Sequence, residues 1–407
     1  MKKNTLAILL ALFAFQGFGQ NYEDTLDLKL EKFGNYESLP GFAVAIVNSE
    51  GVIYKNAYGY SDLENKKLYS QKTVQCVASV SKTMLAYAVM KLEEEGTLSL
   101  ESPINDFLPY NVYNPLFKDS IIRIKHLVSH TSGIIDTDNN YDSRSLYFTS
   151  NTNLDDSRME KDDLDWFKLQ KANKNITIKE YCENVFSENG KWYDQGTFEK
   201  FSSGNHYSYT NLGAVLMAHI IEQASGVSYN DFIEENILSV LKMDKTTLDG
   251  TKVASNLLAK AYVSEKFIPT PILGSNTYPD GGVHTNCEDL SNYLIEMIKG
   301  YNGKSSLLSE VTFRKMMTPL LSEKVANSGE TGKNFDNIGV FWHIAPNGNI
   351  WHNGGNPMGG TVYMWFDPAT GIGRILITNC DVRGSREMVR EFLSIWYTME
   401  KYASKVK

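Results

Sequence analysis

The chain has 407 residues, 42% of them hydrophobic and 22% charged, a globular balance with room for one to three domains of ordinary size. Lys and Arg number 40 against 48 Asp and Glu, a formal charge of −8 at pH 7, so no basic face can neutralise a run of phosphates and nucleic acid is excluded as a partner. With 30 Gly and 11 Pro, the chain is neither collagen-like nor of low complexity.

At the N-terminus, Met1-Lys2-Lys3-Asn4 is basic, Thr5 to Phe15 is apolar, and Gly17-Phe18-Gly19 offers small residues before Gln20. This grammar predicts a secretory signal peptide over residues 1–19 and a periplasmic or secreted mature chain. The apolar stretch falls short of the ~20 residues that span a bilayer, so no stable membrane insertion is expected after cleavage. Phe42 to Asn48 and Val52 to Tyr58 read as strands of a hairpin closed by Asn48-Ser49-Glu50-Gly51. Val80 to Glu95 carries Met84, Leu85, Ala88, Val89 and Leu92 at helical spacing and stops at Gly96.

Asp136 to Asn175 is polar and lacks sustained periodicity; it reads as a surface insertion, either a solvated excursion or a lid over a cleft. Asn211 to Ala224, Tyr229 to Leu241, Asp289 to Lys299 and Glu310 to Met317 read as helices. Strands return at Ile338 to Ile344, Thr361 to Phe366 and Arg374 to Thr378, followed by an amphipathic helix from Arg383 to Lys401. The expected fold is therefore α/β (α+β), an antiparallel sheet flanked by helices. Its two halves, 20–120 and 335–407, enclose a mainly helical domain, 121–334, that carries the polar insertion 136–175.

Cys76, Cys182, Cys287 and Cys380 include no C-x-x-C pair, which disfavours a zinc ribbon or a thioredoxin-like site and leaves disulfides or buried thiols open. His126 and His130 lack a clear third ligand and read as structural, so no metal and no cofactor is expected. There is no G-x-S-x-G elbow, P-loop or dinucleotide fingerprint.

Three short motifs remain. Ser79-Val80-Ser81-Lys82 puts a serine at a helix start and a lysine one turn on, on the same face. A serine hydroxyl becomes a nucleophile when a base takes its proton, and a desolvated lysine can serve. The spacing recurs at Ser239 to Lys242 and Ser404 to Lys407, so alone it is also compatible with a helix cap. Tyr209-Thr210-Asn211 offers a phenol for proton transfer and an amide, or equally a core aromatic and a cap. His352-Asn353-Gly354-Gly355 lies on a strand candidate whose glycines admit close backbone approach.

In this order the three motifs resemble the serine β-lactamase and penicillin-binding-protein superfamily, in particular its class C β-lactamase-like branch of esterases, D-aminopeptidases and D-Ala-D-Ala carboxypeptidases. Leu39-Pro40-Gly41-Phe42, His126-Leu127-Val128-Ser129-His130-Thr131-Ser132-Gly133 and Gly281-Gly282-Val283 add to the resemblance. It implies a β-lactamase/transpeptidase-like fold. Ser79 would be the acylated nucleophile, Lys82 its activator, Tyr209 the proton-transfer residue and Asn211 a positioning amide. The N–H groups of Ser79 and Gly355 would form an oxyanion hole, with His352 and Gly354 lining the opposite wall.

The substrate would be a small molecule or peptide bearing an amide or ester. Where β-lactamases of this branch carry lysine, this chain has His352, mostly neutral at pH 7 when unperturbed, so recognition of a substrate carboxylate should be weaker. Phe201-Ser202-Ser203-Gly204 stands where relatives often have a Pro-Gly turn. A true β-lactamase is the alternative enzyme, and a non-catalytic cell-wall-peptide binding or sensor protein the alternative of another class.

Overall fold

Both ends of the chain contribute to one antiparallel sheet. The computed structural model describes residues 22–35, 38–150, 152, 157, 159–263, 265–326, 336–356 and 359–406; the leader expected at 1–19 lies outside them. Strands β1 (Gly41–Asn48), β2 (Gly51–Asp62) and β3 (Lys67–Leu68) come from the N-terminal side. Strands β4 (Asn337–Ile338), β5 (His343–Ile344), β6 (Ile350–Gly355), β7 (Thr361–Asp367) and β8 (Ile372–Thr378) come from the C-terminal side. The eight strands run in the order β4-β5-β6-β7-β8-β1-β2-β3, with Val44 of β1 opposite Leu376 on one flank and Asn56 on the other.

The unbroken apolar run of β1 follows from burial on both faces. Phe42, Val44 and Ile46 join a cluster with Leu26, Leu30, Phe392, Ile395 and Trp396. Ala43, Ala45 and Val47 point the other way, into the larger core, as the period-two pleat requires. The first cluster is closed by helices Tyr22–Leu30 (α1) and Arg386–Ala403. The latter buries Met388, Phe392, Ile395, Trp396, Met399 and Tyr402 along one stripe. It begins at Arg386, later than expected, because Ser385 sits at φ −155° and its hydroxyl accepts from the N–H groups of Glu387 and Met388.

On the other face lie helices Lys82–Glu94 (α2), Asn211–Ser225 (α3) and Cys287–Tyr301 (α4). Helix α2 is followed by Gly96 at φ +73°, where a left-handed residue ends the helix. Helix α3 starts at Thr210, whose side chain accepts from the Gly213 N–H, and stops at Gly226 with φ +76°. The segment Tyr229 to Leu241 is a short α-turn, Tyr229–Ile233, running into a π-turn, Glu234–Leu238. The single strand expected at Ile338 to Ile344 is instead a hairpin with Ile338 opposite His343; Phe341 at φ +54° turns the chain back.

The polar segment 136–175 is more ordered than a solvated excursion. Among its described residues are the π-turn Asp138–Asp142, a strand Leu146–Tyr147 paired with Gly274–Ser275, and the helix Lys161–Gln170. Side-chain amides replace the periodic apolar contacts: Asn140 Nδ2 donates to Thr197 Oγ1 at 3.0 Å, and Gln170 Nε2 to the Asp142 carbonyl at 2.8 Å. Such hydrogen bonds satisfy loop backbone without leaving a hydropathy pattern. The four cysteines are free thiols.

The sheet meets the start of α2 at one tight point. A Cβ added to Gly354 on β6 would stand 2.1 Å from the Val77 carbonyl oxygen, a distance only backbone movement can relieve. Gly354→Ala should therefore lower the unfolding free energy by about 1–3 kcal/mol, read as a fall in the urea midpoint; an unchanged midpoint would contradict this packing.

Candidate active site

The segment leading to Ser79 is bent. Ala78 takes φ +47°, a left-handed conformation costing a non-glycine residue roughly 1–2 kcal/mol. Surrounding bonds hold it there. The Val77 N–H donates to the Val283 carbonyl at 2.9 Å, Ser81 Oγ donates to the Ala78 carbonyl at 2.6 Å, and the Val283 N–H donates to Ser81 Oγ at 3.1 Å. Ser79 thus lies in a 3-10 turn, Ala78–Ser81, just ahead of α2, and is partly exposed while its neighbours are buried.

Lys82, the first residue of α2, is 0% exposed. Its ammonium meets three acceptors: Asn211 Oδ1 at 2.7 Å, the Asp280 carbonyl at 2.7 Å and Ser79 Oγ at 3.3 Å. An ammonium carries three N–H donors, so this set occupies all of them. The Tyr209 ring centroid lies 5.0 Å from Nζ, within cation–π range, and the ring rests on His130 at 4.4 Å. Sequence motifs separated by more than a hundred residues therefore converge on one ammonium.

Asn211 is itself held. Asp136 Oδ2 accepts from Asn211 Nδ2 at 2.9 Å, while its carboxylate also accepts from the Asn211 and Leu212 N–H groups and from Thr210 Oγ1, at 2.9–3.0 Å. A carboxylate at a helix N-terminus satisfies the free N–H groups and suits the positive end of the dipole. It also fixes the side-chain amide with its oxygen towards Lys82.

A cavity of about 620 Å³ opens beside Ser79 and is lined by Tyr209, Asn211 and Gly355, with Tyr141, Asp280 and Arg383 among its other walls. Ser79 and Gly355 thus share the cavity, but His352 and Gly354 are absent from its lining. The expectation that these two form the opposite wall is corrected by strand geometry. On β6 they alternate with Asn353 and Gly355 and point to the buried side. His352 is 2% exposed, its Nδ1–H donates to the Asn353 carbonyl at 2.8 Å, and its ring lies 5.4 Å from that of His343. Burial, then the neighbouring His343 and Lys82, hold it well below the usual imidazole range. Burial acts alike on His130, and brings His343 down to about 4. From this part of the chain the cavity is lined instead by Gly355, Asn356 and Arg383, the last bonded to Asp381 at 2.8 Å.

His126 and His130 serve the loop backbone, Nδ1 of each accepting an N–H, from Arg123 and Thr210 respectively. Among the described residues no group of three or more His, Cys, Asp or Glu is placed to hold a metal ion.

A family model described as Beta-lactamase matches residues 26–393. The chain belongs to the beta-lactamase family. It is 25% identical over 318 residues to the serine beta-lactamase-like protein LACTB, mitochondrial, of Homo sapiens, covering 70% of this chain and 58% of that protein. The chain spans about half the length of the curated relatives it matches. Its fold is similar to that of the octameric penicillin-binding protein homologue from Pyrococcus abyssi (TM-score 0.69, 22% identity, 94% of this chain and 78% of that chain). It is also similar to a class C beta-lactamase (TM-score 0.65, 18% identity, 95% of this chain and 96% of that chain). The large antiparallel sheet flanked by helices is thus the beta-lactamase fold.

Within this beta-lactamase-family cleft, sequence reasoning missed Asp136, Tyr141, Asp280 and Arg383. Only Asp136 left a usable signal, an acidic residue shortly after the His130-Thr131-Ser132-Gly133 segment, but its partner lies 75 positions away. Asp136→Ala would strand the N–H groups of Asn211 and Leu212. A loss of about 2 kcal/mol in chemical unfolding is expected, in line with removal of a charge-assisted cap; a change under about 0.5 kcal/mol, the scale of an ordinary surface substitution, would show the cap to be dispensable.

Proposed function

We propose that this protein is a serine hydrolase that forms an acyl-enzyme on Ser79 and releases it with water. The observation that carries this reading is the buried Lys82 Nζ, 3.3 Å from the hydroxyl of a cavity-lining serine. Neutral lysine takes the Ser79 proton as Oγ attacks the substrate carbonyl, and the oxyanion of the tetrahedral intermediate is met by the N–H groups of Ser79 and Gly355. Collapse breaks the bond to the amine or alcohol leaving group. That group takes up the proton by way of Lys82 and the Tyr209 phenol. Water then attacks the acyl ester, and the proton returns to Oγ as the acid departs.

Amides and esters are the proposed substrates, encountered after export through the leader at 1–19. His352, where β-lactamases of the resembling branch carry lysine, is buried and held neutral, so it supplies no cation for a substrate carboxylate. That supports esters and D-amino-acid amides over β-lactams. Turnover of a panel containing both, with nitrocefin as the β-lactam, should be fastest on the first two; preference for nitrocefin would favour the true β-lactamase.

Intact-mass spectrometry with a fluorophosphonate probe tests the chemistry directly. Wild type should gain one adduct and Ser79→Ala none, while Lys82→Ala should slow adduct formation about 10²–10⁴-fold, the range for loss of a positioned base. The same adduct on Ser79→Ala as on wild type would overturn the assignment.

A further inference from the structure

The three acceptors of the Lys82 ammonium are a hydroxyl, an amide oxygen and a peptide carbonyl, all formally neutral. A buried cation usually has an anion within reach, and Asp280 is placed to be one. The residue whose carbonyl accepts from Nζ at 2.7 Å also has a buried side chain, 5% exposed, so its carboxyl is carried on the residue that touches the ammonium.

That carboxyl does not float. Tyr141 Oη donates to Asp280 Oδ2 at 2.9 Å. Tyr141 belongs to the π-turn Asp138–Asp142, which is pinned by Asn140: Oδ1 accepts from the Thr137 N–H at 2.7 Å and Nδ2 reaches Thr197. The same stretch supplies Asp136, which orients Asn211. Segment 136–142 therefore holds both neutral acceptors that lie outside α2 and its leading turn, Asn211 through Asp136 and Asp280 through Tyr141.

We propose that Asp280, gripped by Tyr141, is a positioning residue for Lys82: its carbonyl fixes where the ammonium lies, and its carboxyl is the counter-charge that restrains the lysine from accepting the Ser79 proton. The proposal rests on the acyl-enzyme reading above. It also gives the polar segment 136–175 a task other than capping the cleft.

Burial pushes the Asp280 carboxyl up to about 7, against the opposing pull of Lys82 and of the Tyr141 hydrogen bond, with Asp136 adding to the rise. The other groups felt around it are Cys76 on the strand before Ser79, Tyr141 on its own turn and Tyr181 on the helix Ile178–Phe186. Burial raises all three above their ordinary values, so they stay neutral near pH 7. His130, His343 and His352, also felt by Lys82, are held low and stay neutral too. Once ionised, the Asp280 carboxyl favours the charged form of Lys82 through space, without touching it; protonated, it lifts the restraint.

The experiment measures the rate of Ser79 adduct formation by a fluorophosphonate probe between pH 6 and 8.5, for wild type, Asp280→Asn and Tyr141→Phe. Asp280→Asn keeps an acceptor for Tyr141 but cannot ionise, so its rate divided by that of wild type should rise at least threefold across the range, with the wild-type inflection near 7 gone. Tyr141→Phe removes a bond that lowers the Asp280 value, so its inflection should move to higher pH. A ratio that is flat or falls, or an inflection unmoved in Tyr141→Phe, overturns the proposal. Should Asp280→Asn fail to fold by circular dichroism, the Tyr141→Phe shift decides alone. Persistence of the adduct on Ser79→Ala would sink the acyl-enzyme reading instead, so the two failures are distinguishable.

Discussion

One ammonium group organises the cleft. Removing a lysine Nζ from water costs several kcal/mol unless its donors are met and its charge is answered, and Lys82 is fully buried. Its partners come from three regions of the chain: the turn before α2, the first residue of α3 and the loop before Gly281. Each must be in place for the others to be useful. A lysine with two of its three donors satisfied would swing towards solvent, and Ser79 would lose its neighbour. The tertiary contacts between α2, α3 and the 280–283 loop are thus coupled to the chemistry by the demand of one buried charge.

The sheet contributes a second constraint, steric instead of electrostatic. Gly354 lets β6 approach Val77 and Ala78 more closely than any side chain would permit, and Ala78 holds a left-handed conformation within that contact. Strain of this kind persists only where the surroundings over-determine it. Here the hydrogen bonds through Ser81 and Val283 and the pressing strand do so together. The result is a serine presented from a rigid bend into a cavity that Gly355 also lines.

The elements that position these groups were legible in the sequence because they obey simple periodicities. The apolar positions of α2, α3 and the C-terminal helix repeat at helical spacing, β1 is an apolar run, and Gly96 and Gly226 mark helix ends. What was not legible depends on conformations or partners that a linear pattern does not encode. Phe341 at φ +54° converts an apparent strand into a hairpin. Amide side chains, Asn140 and Gln170 among them, order a segment whose hydropathy looks like a loop. His352 was expected on the cleft wall but lies on the buried side of its strand, since the face a strand residue takes depends on register, and a shift of one residue reverses it.

This last difference bears on how the cleft discriminates among substrates. Three imidazoles, His130, His343 and His352, lie around Lys82, and burial keeps all of them neutral. Arg383, which also lines the cavity, is matched by Asp381. The positive charge nearest Ser79 is therefore the Lys82 ammonium, and it is enclosed by its own acceptors. A substrate carboxylate entering this cavity would have to compete with Asp280, Asn211 and Ser79 for Lys82, or with Asp381 for Arg383. An uncharged acyl group would need no such exchange, which is the sense in which the proposed preference for esters and amides follows from the cavity. The net charge of the chain carries no information about this balance, which is set locally by the acceptors around Lys82 and by the Arg383–Asp381 pair.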